Sequence, residues 1–194
     1  MNRRATVSRA TRETSVEITL DLDGIGEASV ETGIGMFDHL LTSLAHHAMI
    51  DLVVRTDGDL HVDEHHTVED TALVLGSAID EALGDRSGIT RFASATVPMD
   101  EAIATCATDA GGRPYAVLDL AFSGDRIGTL GTQMIPHALE SLIRTSHSTV
   151  HLSARGKNDH HIAEAAFKAF GIALRDATSP DPRRQGVPST KGTL

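Results

Sequence analysis

The sequence predicts an α+β protein of two pseudo-symmetric repeats, each a mainly antiparallel sheet with two helices, packed helix to helix as a sandwich. Two observations carry this. The motif His-His-x-x-Glu occurs twice, in "DEHHTVED" (63–70) and "NDHHIAEA" (158–165), each time after an acidic residue and before a long apolar-periodic run. Setting His65 against His160 gives an offset of 95 that also pairs Glu69 with Glu164 and Gly76 with Gly171, while His39 falls opposite His137 at 98. Self-similarity of this length, with helices following runs of strands, points to two packed α+β units.

The elements follow in order. "SVEITLDL" (15–22) has strand composition, and "DLDG" (21–24) is a turn signal behind it. "GMFDHLLTSLAHHAM" (35–49) places Phe37, Leu40, Leu41, Leu44, Ala45 and Ala48 at helical spacing, and "IDLVVR" (50–55) returns to strand composition. A second helix runs from His65 to Leu83 and stops at Gly84. The second half repeats this order, with a helix over 135–148, a strand over 149–155 and a helix over 160–177 closed by "TSPDP". The boundary falls in "DRSGITRF", near 85–92. The implied organisation is a basic N-terminus (1–8), a first repeat (9–90), a second repeat (91–180) and a C-terminal tail (181–194).

Composition narrows the function. Aromatic residues are only 3% with no Trp, so the core must rest on Leu, Ile, Val and Ala, and base-stacking platforms have no support. A formal charge of −10 argues against nucleic acid or an anionic membrane as partner. No apolar run is long enough for a signal peptide or a membrane span. Cys106 is the only cysteine, which makes an intrachain disulfide impossible and a cytoplasmic location the default.

The repeated motif carries the chemistry. Successive helical side chains diverge by about 100°, so two adjacent histidines cannot easily hold one ion, whereas a Glu three or four residues on can join either. Each motif therefore has a ligand to spare. The spare His can serve a second metal, so two such helices could build two sites that exchange histidines, with His39 and His137 completing them. Such sites keep open positions, which implies catalysis. Imidazole alone leaves the ion undecided.

The residues "RATRET" (9–14), "FDHLL" (37–41), "HHTVED" (65–70), "PMDEA" (98–102), "GRPY" (112–115), "HHIAEAAFKAFGIALR" (160–175) and "PSTKGTL" (188–194) together resemble the imidazoleglycerol-phosphate dehydratase family. The resemblance runs from about residue 8 to the end; the basic segment before it is a candidate for disorder. It implies two Mn2+ ions per active site. One would be held by His39, His66, His160 and Glu164, and the other by His65, Glu69, His137 and His161. It also implies trimers assembled into a homo-oligomeric 24-subunit shell, with metal sites shared between neighbouring subunits.

The implied reaction dehydrates imidazoleglycerol phosphate to imidazole-acetol phosphate in histidine biosynthesis. The proton to be lost sits on a carbon with no carbonyl beside it, so the imidazole ring must supply the activation. If its two nitrogens bind two ions, the ring becomes an imidazolate that can expel the neighbouring hydroxyl. Glu13 is the implied proton-transfer residue. The substrate-binding set is Glu13, His39, His47, His65, Asp70, Arg91, Arg113, His160, Lys168, Ser189, Thr190 and Lys191. Within it the guanidinium groups of Arg91 and Arg113, with Lys168, Ser189 and Lys191, would form a phosphate pocket. His47 and Asp70 contact substrate or orient ligands, whereas His46 and His61 have no assigned role. Two competing readings are a two-metal phosphoesterase, whose sites are usually richer in Asp, and a metal-assembled structural shell. The glycine-rich 116–134 segment is short for the family, and its strands are expected to be trimmed.

Overall fold

The computed structural model describes residues 3–193. The first half supplies strands β1 (Arg4–Ala10), β2 (Thr14–Asp21), β3 (Ala28–Glu31) and β4 (Asp51–Gly58), with helices α1 (Gly35–Ala48) and α2 (His65–Leu83). The second supplies β5 (Phe92–Met99), β6 (Ala102–Asp109), β7 (Tyr115–Leu120), α3 (Met134–Thr145), β10 (Thr149–Arg155) and α4 (Asp159–Thr178), with a two-stranded hairpin of β8 (Arg126–Ile127) and β9 (Leu130–Gly131) inserted before α3.

The two sheets have equivalent orders, β1-β2-β4-β3 and β5-β6-β10-β7. In each, two pairings are antiparallel and the third is parallel, β3 with β4 and β7 with β10. The parallel pair follows from a crossover helix, α1 in the first repeat and α3 in the second. Each sheet buries one face. Val16, Ile18 and Leu20 of β2 and Leu52 and Val54 of β4 line the first, while Ala102, Ala104 and Cys106 of β6 line the second. The smaller residues of the second sheet leave room for Phe167 and Phe170 of α4, which packs over β5 and β6.

Helix pairing crosses between the halves. α1 packs on α4, and α2 packs on α3. The glycines paired in sequence are what let these helices approach: a Cβ on Gly76 would lie 2.3 Å from the Leu142 carbonyl of α3, and one on Gly171 would lie 2.8 Å from the Leu44 carbonyl of α1. Only glycine fits at either crossing.

Two expectations need correction. The basic N-terminus is not disordered where it is described: Arg4–Ala10 pairs along its whole length with β2, from Arg4 opposite Asp21 to Ala10 opposite Ser15. Arg4 points outward while Ala5 is buried and Val7 half-buried, Arg9 on the same face as these two reaches the buried Asp70, and Arg3 donates to Asp23 and to the Thr178 carbonyl. Residues 1–2 lie outside the described residues. The third helix ends at Thr145, three residues before the expected 148. Ser146 caps it and His147 turns the chain with φ 49° into β10.

Candidate active site

Each His-His motif begins a helix. Asn158 is the N-cap of α4, and its Oδ1 accepts from His160 N at 3.0 Å. The N-cap of α2, Glu64, makes no side-chain cap, but Asp63 Oδ1 before it accepts from His65 N at 2.8 Å. An Asx side chain two residues earlier thus satisfies the backbone of the first His in both motifs. The residues between, Glu64 and Asp159, tether one loop from its two sides. Glu64 Oε1 accepts from Gly131 N at 3.0 Å, and Asp159 accepts from Ser123 N at 3.0 Å and Gly124 N at 2.7 Å. The 116–134 segment is thus a strand (β7) followed by a short hairpin anchored to both motifs.

Adjacent histidines diverge as helix geometry requires: the His65 and His66 rings lie 5.9 Å apart at 88°, and those of His160 and His161 lie 6.2 Å apart at 81°. The first His of each pair joins its Glu at i, i+4, and a third ligand arrives from the helix of the other half. His39 Nε2 and His160 Nε2 converge on Glu164 Oε1 at 3.0 and 2.8 Å. His65 Nε2 and His137 Nε2 flank Glu69 at 3.9 and 3.7 Å, with their rings 4.7 Å apart. In each cluster the donor atoms lie within 4.8 Å of one another, a spacing that one ion can span.

Both clusters fit a metal. His137 Nε2 is buried and has no hydrogen-bond partner among the described residues, an acceptor or donor left unused beside a carboxylate. In the other cluster burial opposes the charge on Glu164, yet Lys168 at 2.6 Å, His39 and His160 hold its carboxyl down at about 2, so it stays an anionic ligand. Two imidazoles and one carboxylate match the ligand taste of a divalent transition metal with positions open.

Of the eight expected ligands the chain therefore brings together three and three. His66 and His161 stand apart from their own chain's clusters. His66 Nδ1 lies 3.0 Å from Asp59 and its Nε2 3.8 Å from Glu13 Oε2, while His161 Nδ1 lies 2.9 Å from Glu101. These hydrogen bonds raise both imidazoles above their usual value, and the His161 bond heads the causes that hold Glu101 down at about 2. Glu13 sits exposed at the start of β2.

The expected phosphate residues mostly meet. Arg91, Arg113, Ser189, Thr190 and Lys191 line one cavity of about 510 Å3. Arg91 is locked by Asp109 at 2.7 and 3.1 Å and by the Pro188 carbonyl at 2.8 Å, whereas Arg113 is largely exposed and free to reach. Gly111 makes room for that lock, since a Cβ there would fall 2.7 Å from Arg91 Nε. Lys168 does not line this cavity; it points at Glu164 instead. Burial, then the Lys168 charge, pushes the nearby His47 imidazole below its usual value. Asp70 is buried and accepts from Arg9 and Thr14, which joins α2 to β1 and β2.

The family model for imidazoleglycerol-phosphate dehydratase matches residues 32–174, a span that contains both clusters. The chain belongs to the imidazoleglycerol-phosphate dehydratase family. Curated relatives of that name extend the match over the full length. The protein of Acidiphilium cryptum is 53% identical over 196 residues, covering 100% of both chains. That of Methanococcoides burtonii is 50% identical over 192 residues, covering 99% of this chain and 100% of its own. The match thus reaches well before residue 8, as the N-terminal strand leads one to expect. The crystal structure of the dehydratase from Pyrococcus furiosus superposes with a TM-score of 0.83 at 33% identity over 97% of this chain and 100% of that one. The Staphylococcus aureus dehydratase gives 0.83 at 29% identity over 92% and 99%. The protein is accordingly a hydro-lyase acting on a small molecule in histidine biosynthesis, from a metal-dependent family. None of its described helices is long and apolar enough to cross a membrane.

Sequence reasoning missed the carboxylates that hold the ligands in place. Glu101 lies inside the quoted "PMDEA" and Glu64 and Asp159 directly precede the histidines, so a signal existed for these three. Asp59 gave none.

Proposed function

We propose that the enzyme dehydrates imidazoleglycerol phosphate with two Mn2+ ions per active site, each completed by a histidine from a neighbouring copy. The observation that carries this reading is the pair of equivalent three-ligand clusters, each left one histidine short by its own chain. His39, His160 and Glu164 would hold one ion with His66 of a neighbouring copy, and His65, Glu69 and His137 the other with a neighbour's His161. Metal ions held by these residues would supply Lewis-acid activation of the substrate's imidazole ring, making its N–H more acidic.

The chain's own residues do the remainder. Glu13 takes the proton from the substrate carbon and returns one to the departing oxygen, a task its exposed carboxylate next to His66 can perform once a second copy covers it. Arg91 and Arg113 clamp the phosphate, with Ser189, Thr190 and Lys191 of the tail closing over it. Lys168 balances Glu164, and His47, kept neutral beside it, can accept a substrate hydroxyl. Asp70 fixes α2 so that Glu69 stays in register. Shared ligands require a homo-oligomer, and a 24-subunit shell built from trimers satisfies them without leaving an unfinished site. The unpaired Cys106 suits a reducing cytoplasm.

Elemental analysis after manganese loading tests the reading. Two ions per chain are expected, falling to one in Glu69→Ala and in Glu164→Ala. A single ion in the unaltered protein, or loss of both from one substitution, would reject the two-cluster account.

A further inference from the structure

We propose that Asp59 and Glu101 are positioning residues that commit Nδ1 of His66 and of His161, and so present the opposite nitrogen of each ring as a ligand to a second copy of the chain. The inference rests on the shared-site reading above and says how the two unattached histidines are kept ready for it.

The geometry is the same in both halves. Asp59 Oδ2 lies 3.0 Å from His66 Nδ1, and Glu101 Oε2 lies 2.9 Å from His161 Nδ1. An ionised carboxylate only accepts, so Nδ1 carries the proton and donates, and the lone pair is left on Nε2. Nε2 is also the atom that the four clustered histidines, His39, His65, His137 and His160, direct at their carboxylates. The Glu101 carboxylate is itself held, whereas Asp59 is held through its backbone and its Oδ1 is buried with no hydrogen-bond partner among the described residues. Glu101 Oε1 accepts from the backbone of Lys157 at 3.1 Å and Asn158 at 2.8 Å, the residues that open α4, and Asp59 N donates to the Glu13 carbonyl at 3.1 Å. Asp59 therefore ties the ring of His66 to the residue proposed to move the proton.

Symmetry does not explain the pairing. The strands that carry these residues run at offsets of 88 (β2 to β6) and 98 (β4 to β10), which place the counterpart of Glu101 at Glu13, near Nε2 of His66 rather than Nδ1, and the counterpart of Asp59 at Lys157. One carboxylate follows β4 and the other sits in the β5–β6 turn, so the two halves reach the same contact from unrelated positions. A contact inherited with the duplicated motif would have kept its place. One built twice answers a requirement of the rings themselves, and a carboxylate behind a metal-binding imidazole fixes both its tautomer and its aim.

The test is manganese titration of the full-length protein, followed by isothermal calorimetry or by the free-ion signal in electron paramagnetic resonance. Glu101→Ala and Asp59→Ala should each weaken binding by about 10–100-fold at half of the sites, leaving the other half unchanged. Glu101→Gln, which keeps an acceptor but not the charge, should fall between. Thermal unfolding of the metal-free variants controls for folding, since a merely structural carboxylate would lower that temperature and leave affinity alone. Wild-type affinity at every site in both alanine variants would overturn the inference. An unaltered protein that binds no manganese would instead sink the shared-site reading, and this inference with it.

Discussion

Replacing Gly76 with alanine puts a methyl group 2.2 Å from Thr145 Oγ1 and 2.3 Å from the Leu142 carbonyl oxygen, where α2 crosses α3. Neither neighbour moves cheaply. Leu142 O is backbone, and the Thr145 hydroxyl donates to the Leu73 carbonyl at 2.8 Å. The helices must separate. Alanine gains about 1 kcal/mol of helix preference over glycine, while forcing a methyl into a packed interior costs about 1–3 kcal/mol, with a contact against backbone at the upper end. The net loss is about 1–2 kcal/mol, which lowers the unfolding temperature of a chain this size by roughly 2–8 °C. Gly171→Ala meets its nearest backbone atoms at 2.8 and 3.3 Å, so a smaller shift relieves it and the net loss should stay below about 1 kcal/mol. Scanning calorimetry of the metal-free proteins reads both. Because Glu69 and His137 sit on the same helix pair, Gly76→Ala should also weaken metal binding at that cluster. An unfolding temperature at or above that of the parent for Gly76→Ala, or a larger loss for Gly171→Ala, would refute the claim that these glycines set the helix spacing.

Glu13→Gln should bind metal and substrate normally yet turn over at least about 100-fold more slowly, the usual worth of a positioned acid–base group; full activity would remove Glu13 from the mechanism. Lys191→Ala and Arg91→Ala should raise KM by roughly 10–100-fold, the worth of a charged hydrogen bond, with metal content unchanged in both. Metal loss in Lys191→Ala would place that lysine elsewhere. Cys106, fully buried on β6, has its thiol pushed up by burial from 9.0 to about 11. Between those values the unfolded thiol loses its proton while the folded one keeps it, so this group costs stability as pH rises from 9.0 towards 11. Denaturant midpoints of the parent and Cys106→Ala should converge as pH climbs through that window, and iodoacetamide should label the folded protein only after denaturation.

The four helices were legible through a 3.6-residue apolar period, and α2 and α4 also carry stops in Gly84 and the Pro180 segment, whereas α3 has no Gly or Pro stop and its end is read three residues late. Central strands β2, β4 and β10 were legible through alternation. Edge strands were not: β1 is basic and half exposed, and β5 contains Pro98, which an edge tolerates because its missing N–H breaks no ladder bond. Of the site, ligand types and their repetition could be read, but not which His of each pair joins its own Glu. That choice depends on α1 and α3 arriving from the opposite half, a tertiary fact without local signature. The same holds for Asp59, seven residues from His66 and brought to it by the turn after β4.

The central claim is that the paired clusters drive dehydration, and turnover of imidazoleglycerol phosphate by chelator-stripped protein tests it most directly. Formation of imidazole-acetol phosphate should be absent before manganese is added and restored after it. Undiminished turnover by metal-free protein, or binding of manganese with no product formed, would contradict the account.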